Sequence, residues 1–229
     1  MKINILHLLD GAKSARGLTV IIDVFRAFSF ECYAIQNNVK RIIPVASKEL
    51  AYELKQNNPD YLLAGERGGV KLPGFDYGNS PTEIEYTDLS NRILVHTTSA
   101  GTQGLEGAVN ADEIITGSFV NAKAVSEYIL KTSFEEISLV CMGNGGVTRS
   151  DEDDLCAEYI QALLQGETDD ISKQIENLKF TDGRRFFDAG KKDVFPERDF
   201  YLCTQLNRFP FVLKFKYGPD GLGFIQKTT

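Results

Sequence analysis

Six short apolar runs recur through the first 142 residues: LTVIIDV (18–24), RIIPVA (41–46), YLLAGE (61–66), RILVHT (92–97), EIITGS (113–118) and EISLVCM (136–142). Each is too short for a buried helix and most are rich in β-branched residues, so each reads as a buried strand. Between them, RAFSFECYAIQNN (26–38), SKELAYELKQNN (47–58) and NAKAVSEYILKT (121–132) space their apolar residues as helices do, the second with Ser47 as its N-cap. Strand alternating with helix predicts an α/β fold: a single three-layer domain over residues 1–229, with a mostly parallel or mixed sheet and helices on both faces. Ligands in such folds bind beside the loops that leave the carboxyl ends of the strands. DEDDLCAEYIQALLQG (151–166) predicts another helix, its acidic first turn complementing the helix dipole. Further on, FPFVLKFKYG (209–218) and LGFIQK (222–227) flank a PDG turn and predict a C-terminal β-hairpin. The aromatic tail would cover either its own sheet or a second subunit in a homo-oligomer.

Composition narrows the function classes. A hydrophobic content of 42% with 25% charged residues is that of a soluble globular protein. No apolar run approaches the roughly 20 residues of a membrane span, and the opening MKINILHLLDGAKS lacks a secretory pattern, so the cytoplasm is expected. A net charge of −7 argues against a nucleic-acid partner. The segment GRRFFDAGKKDVFPERDF (183–200) mixes both signs and reads as a solvated surface rather than a binding patch. The cysteines form no CxxC pair and the two histidines, His7 and His96, stand far apart, which argues against a zinc cluster. Cys141 and Cys156 are expected in the core, and His96 as a packed strand-end histidine.

Four predicted strand ends carry polar loops. In IIDVFRAFS, Asp23 and Arg26 read either as a cation ligand beside an oxyanion-binding arginine or as a simple Asp–Arg pair. In GERGGVKLPGFDYGNSP (65–81), Glu66, Arg67 and Lys71 are carried on a loop too long and irregular for a mere connection. In HTTSAGTQG (96–104), Thr97, Thr98, Ser99 and Thr102 offer hydroxyl donors and Gly101 opens a helix. In CMGNGGVTRSDEDD, Glu152 and Asp153 are the acids expected to serve a site, while Asp151 and Asp154 suit the helix dipole. Clustered carboxylates repel one another, and a hard divalent cation such as Mg²⁺ answers that repulsion.

Taken in order, IDVFRA, GERGGVKLPGFDYGNSP, TTSAGT and SDEDDLCAEYI resemble the 2-phosphosulfolactate phosphatase family, with a fainter likeness around PERDFYLC. The resemblance implies Mg²⁺-dependent hydrolysis of a small phosphorylated sulfo acid to 3-sulfolactate and phosphate. It maps onto Asp23, Arg26, Glu66, Lys71, Asp76, Asn79, Ser80, Thr97, Thr98, Gly101, Thr102, Glu152 and Asp153. Within that set, the metal is expected on Asp23, Glu66, Glu152 and Asp153, and catalysis on Asp23, Arg26, Glu66 and Lys71. Substrate binding falls to Arg26, Lys71, Asn79, Ser80, Thr97, Thr98, Gly101 and Thr102. The chain departs from the family pattern at Phe28, Ser29, Phe30, Ala100 and Glu158. Those departures leave two other readings beside the first: a phosphatase for a different small phosphorylated hydroxy acid, and a small-anion binding protein without turnover.

Overall fold

The computed structural model describes residues 1–167 and 170–228. In chain order the first elements are β1 (Lys2–His7), α1 (Leu8–Ser14), β2 (Leu18–Ile22), α2 (Ala27–Gln36), β3 (Arg41–Pro44), α3 (Lys48–Asn57), β4 (Leu62–Arg67), β5 (Val70–Lys71), α4 (Pro81–Ile84) and β6 (Ile93–Thr97). They are followed by α5 (Gly101–Gly107), β7 (Glu113–Gly117), α6 (Ala122–Lys131), β8 (Glu136–Cys141), α7 (Asp151–Gln165), α8 (Ser172–Asn177), α9 (Glu197–Cys203), β9 (Val212–Tyr217) and β10 (Gly223–Thr228). All six expected strands form, as do the four expected helices and the hairpin. β1 lay outside the sequence expectation. It is an edge strand paired in parallel with β8, its Lys2 and Asn4 both donating to Glu136.

Ten strands make one sheet in the order β1-β8-β2-β7-β9-β10-β3-β6-β4-β5. Two parallel blocks, β1-β8-β2-β7 and β3-β6-β4, lie on either side of the hairpin. β9 runs antiparallel to β7, β10 antiparallel to β9, and β3 antiparallel to β10, so the two blocks point in opposite senses. In a flat sheet their carboxyl ends would lie on opposite edges. From β2 to β6 there are five strand steps, and the ordinary right-handed twist turns them through roughly 100–125°. That rotation swings the two carboxyl ends toward each other, and the amide of Gly101, after β6, reaches the carboxylate of Asp23, after β2, at 2.9 Å.

The sheet is covered on both faces. Leu18, Val20 and Ile22 of β2 point toward α6 and α7, packing with Val125, Ile129, Cys156 and Ile160. Ile21 points the other way, into a cluster with Ala27, Phe28, Phe30 and Leu105. α2 is buried on nearly all sides, from Ala27 to Ala34, which is why its sequence is apolar almost throughout. A third cluster sets Ala51 of α3 against Ile43, Leu63 and Val95. The aromatic tail closes this chain's own core: Phe209, Phe211, Leu213, Phe215 and Ile225 are all buried. All four cysteines are free and buried, Cys141 and Cys156 in the expected core positions. No helix among the described residues is long and apolar enough to cross a membrane.

Because the hairpin joins two blocks that do not otherwise pair, its core residues matter more than their position near the chain end suggests. Leu213→Ala, at a fully buried site, is expected to lower stability by about 2–5 kcal/mol in denaturant unfolding. Tyr217→Ala, on the same strand but exposed, is expected to change it by about 0.5 kcal/mol or less.

Candidate active site

The loops after β2, β4, β6 and β8, together with the segment between α8 and β9, enclose a cavity of about 350 Å³. Its charged and polar lining includes Asp23, Arg26, Glu66, Asn79, Ser99, Asn144 and Arg185, and its apolar lining Phe25, Ala100 and Phe195. Asp23 leaves β2 and accepts hydrogen bonds from two backbone amides, Ala27 N to Oδ1 (3.1 Å) and Gly101 N to Oδ2 (2.9 Å). A β-carbon at position 101 would stand 2.9 Å from Asp23 Oδ2 and from Ala27 Cβ, so only glycine admits this approach. Glu66 leaves β4 and is held the same way, by Gly69 N (2.6 Å), Ser99 N (2.7 Å) and Ser99 Oγ (3.1 Å). Asp153, in the first turn of α7, accepts from Val24 N and Gly143 N, both at 2.8 Å. Glu152 approaches Arg185 Nη2 at 3.5 Å through Oε1, and its buried Oε2 has no partner.

Burial and mutual repulsion shape these acids. Burial lifts the Asp23 carboxyl to about 6, the charge of Glu66 adds to the lift, and the amides of Ala27 and Gly101 oppose it. Burial pushes Glu152 up to about 8, with Arg185 opposing and Asp182 adding. Asp153 is held well above the usual carboxylate range by burial first and then by Glu152 and Asp23. Of these three buried carboxyls only Asp23 lines the cavity; Glu152 and Asp153, expected from the sequence to share a metal with it, do not.

The cations are placed differently from the sequence expectation. Arg26 is buried, donating through Nη1 to Asp199 Oδ2 (2.7 Å) and Val194 O (2.9 Å) and through Nη2 to Gly69 O (3.0 Å). Its guanidinium lies over the Phe195 ring, 5.0 Å from the centroid. Asp199 is fully buried and also accepts from Ser80 Oγ (2.8 Å), Thr82 N (3.0 Å) and Thr82 Oγ1 (2.6 Å). Lys71 is exposed on the two-residue β5 and does not line the cavity. The second cavity cation is Arg185, which donates to Asn144 Oδ1 at 2.8 Å while its Nε has no partner. Segment 183–200, read from its charges as a solvated surface, therefore requires correction. It supplies Arg185, Phe195 and Asp199 to the site and buries Phe186 and Phe200 completely. The misleading signal was local mixed charge. The pairing that overrides it joins residues 173 positions apart.

The hydroxyls also divide. Ser99 reaches the cavity, whereas Thr98 and Thr102 close on each other, Thr98 N donating to Thr102 Oγ1 (2.9 Å) and Thr102 N to Thr98 Oγ1 (3.1 Å). Thr97 Oγ1 accepts from Arg67 Nη2 at 2.9 Å, and Ser80 is committed to Asp199. Asp76 anchors its own loop by accepting from Leu63 N at 2.8 Å. Asn79 lines the cavity and contacts His96, which in turn contacts Glu31, a residue the sequence reading did not single out. Of the departures from the family pattern, Phe28, Ser29 and Phe30 are fully buried in α2, Glu158 is exposed, and Ala100 alone lines the cavity. Away from the cavity, His7 Nε2 lies 3.0 Å from Asp154 Oδ1 with Cys141 beside them, and Arg149 Nη2 reaches Asp154 Oδ2 at 2.7 Å. The sequence spacing had argued against such a gathering, which the parallel pairing of β1 with β8 produces.

A twisted α/β sheet whose strand ends gather carboxylates, two arginines and backbone amides around a small cavity is the framework of a protein that handles a small, multiply charged anion. Comparison with known proteins agrees with that framework. Residues 4–218 match the 2-phosphosulpholactate phosphatase family. The chain is 32% identical over 203 residues to a probable 2-phosphosulfolactate phosphatase of Bacillus subtilis (strain 168), covering 87% of each chain. It is 33% identical over 236 aligned residues to a protein of the same description from Clostridium perfringens (strain 13 / Type A), covering 95% of each. Against one from Carboxydothermus hydrogenoformans, identity is 40% over 166 residues, covering 72% of this chain and 68% of the other. The chain belongs to the 2-phosphosulfolactate phosphatase family.

Two outcomes are expected of the site's electrostatics. The raised carboxyls keep their protons to higher pH in the folded chain than in the unfolded one. The folded state thus binds more protons from pH 3.8 to about 6 at Asp23 and from 4.5 to about 8 at Glu152, and stability falls as pH rises across that window. In the presence of a chelator, the melting temperature should be several degrees higher at about pH 6 than at about pH 9, and Glu152→Gln should flatten the difference. Asp199→Ala strands the buried Arg26 and is expected to cost about 3–5 kcal/mol in denaturant unfolding, whereas Lys71→Ala should change stability by about 0.5 kcal/mol or less.

Proposed function

We propose that this chain is a Mg²⁺-dependent phosphatase that hydrolyses 2-phosphosulfolactate to 3-sulfolactate and phosphate. The observation that carries the reading is the cavity itself: Asp23 and Glu66 share its wall with Arg26 and Arg185 in about 350 Å³, a space suited to a small acid. The names of the similar proteins supply the substrate. Four free, buried cysteines support a reducing compartment, and a cytoplasmic enzyme is part of this reading.

The donor set fits a hard divalent cation. Asp23 and Glu66 at the cavity and Glu152 and Asp153 outside its lining offer only oxygen, and Glu152 Oε2 is buried without a partner, although no three of these acids bring oxygens within 4.8 Å of one another. One or two of these carboxylates, with bound waters, would hold Mg²⁺, which when bound neutralises charge on the phosphoryl and leaving oxygens. The chain's own groups do the rest. Arg26, locked by Asp199 and Gly69, presents a fixed positive charge to one anionic group of the substrate. Arg185, taking the role expected of Lys71 and lying against the same Phe195 ring as Arg26, would meet a second anionic group. The amides bound to Asp23, Glu66 and Asp153 hold those carboxylates in place, so little reorganisation accompanies the reaction. The Asp23 carboxyl, near 6, also lies in the range that serves proton transfer at neutral pH.

Ala100 favours a second reading, hydrolysis of a different phosphorylated hydroxy acid, because it puts a methyl group on the cavity wall at a departure from the family pattern. Phosphate release from phosphorylated sulfolactate, lactate and glycerate separates the two. If none releases phosphate while sulfolactate binds, the protein is a binder rather than an enzyme. With the sulfonated substrate, Asp23→Asn is expected to lower kcat by roughly 10²- to 10³-fold. Arg185→Met should act mainly on KM, raising it about tenfold or more, and Lys71→Ala should leave both constants within about twofold. Chelation should abolish turnover and added Mg²⁺ restore it.

A further inference from the structure

A line of three buried polar side chains runs from the core to the cavity. Glu31 on α2 and His96 on β6 have no exposed surface, and Asn79 at the cavity wall is 5% exposed. Glu31 Oε1 lies 2.8 Å from His96 Nδ1, and His96 Nε2 lies 3.1 Å from Asn79 Oδ1. The Phe30 ring packs against the imidazole at a centroid distance of 5.1 Å. Asn79 Nδ2 donates to no protein group among the described residues, yet it is not one of the sealed, partnerless atoms, so it opens on the cavity.

An acid and an imidazole sealed in a core are unfavourable unless each satisfies the other, and here they do so through Glu31 Oε1 alone, Oε2 being buried without a partner, so a bare packing role does not account for them. An asparagine amide can turn either its N–H₂ or its C=O toward a cavity, and the residue alone does not choose. The choice matters here because an N–H₂ binds an anion and a C=O repels it. A proton on His96 Nε2 makes the choice by donating to Asn79 Oδ1, and Glu31 accepts the proton on Nδ1. We infer that Glu31 and His96 are positioning residues, holding a proton on each imidazole nitrogen so that the amide of Asn79 turns its N–H₂ toward an anionic group of the substrate. The substrate half of this inference rests on the phosphatase reading; the orientation of the amide does not. Ala100, which also lines the cavity, has no side-chain donor, which makes the direction of the Asn79 amide more consequential.

The chain holds only two histidines, so protein labelled with nitrogen-15 histidine gives signals from two rings, and His7→Gln assigns them. The expected spectrum shows protons on both nitrogens of His96, with Asn79→Ala shifting the Nε2 pair far more than the Nδ1 pair. A bare, pyridine-type Nε2 would mean that the amide is turned the other way and would overturn the inference. Kinetics supply a second arm. His96→Gln should lower kcat/KM about tenfold in the native chain but less than about twofold in an Asn79→Ala background, with Glu31→Gln following the same pattern. Equal losses in both backgrounds would make His96 a packing residue and refute the positioning role. Should the core variants fail to fold, the spectrum of the native protein still decides. A doubly protonated His96 in a protein that releases phosphate from none of the esters would sink the phosphatase reading alone.

Discussion

The carboxylate of Asp23 ties together two parts of the sheet that run in opposite senses. One oxygen accepts the amide of Ala27, in the same block, and the other accepts the amide of Gly101, delivered by the other block. That contact exists only because the hairpin reverses the strand sense and the sheet's twist then swings the second block back across the first. Every wall of the cavity depends on this approach. Glu66 and Ser99 come from the second block, Asn144 follows the first, and Arg185 arrives on the segment between α8 and β9.

The charges follow the same economy of contacts. Asp23 and Asp153 are held by backbone amides and Glu152 by Arg185, none of which offsets burial, so burial first and neighbouring charge second leave all three carboxyls holding their protons unusually tightly. Arg26 is treated differently, fully paired with Asp199 and stacked on Phe195, and thereby rigid. That combination of fixed cations and buried acids supports the proposed binding of both a metal ion and an anion.

Much of the fold was legible in the sequence because strands and helices are written in short periods. LTVIIDV and EISLVCM could only be buried strands, and the acidic first turn of α7 announced its helix. Asp23, Arg26, Glu66 and Asn79 were legible as cavity residues because each follows a strand or lies on an irregular, glycine-rich loop. Lys71 looked equivalent to Arg26 by type and spacing, yet β5 carries it outward. Thr98 and Thr102 looked like anion donors, and they close on each other instead. Asp199, Arg185 and the Glu31–His96 pair were not legible, since nothing near them in sequence marks their partners.

By itself the sequence determined the α/β class, the run of strands and helices, the loops that carry the chemistry and the family to which they belong. These follow from local periodicity and from residues adjacent in the chain. Only the tertiary structure decided that the hairpin sits in the middle of the sheet, that the tail from 183 to 200 walls the cavity, and which cations and hydroxyls face inward. Those outcomes depend on sheet twist, strand sense and hydrogen bonds between residues more than a hundred positions apart, and no local pattern encodes where such partners meet.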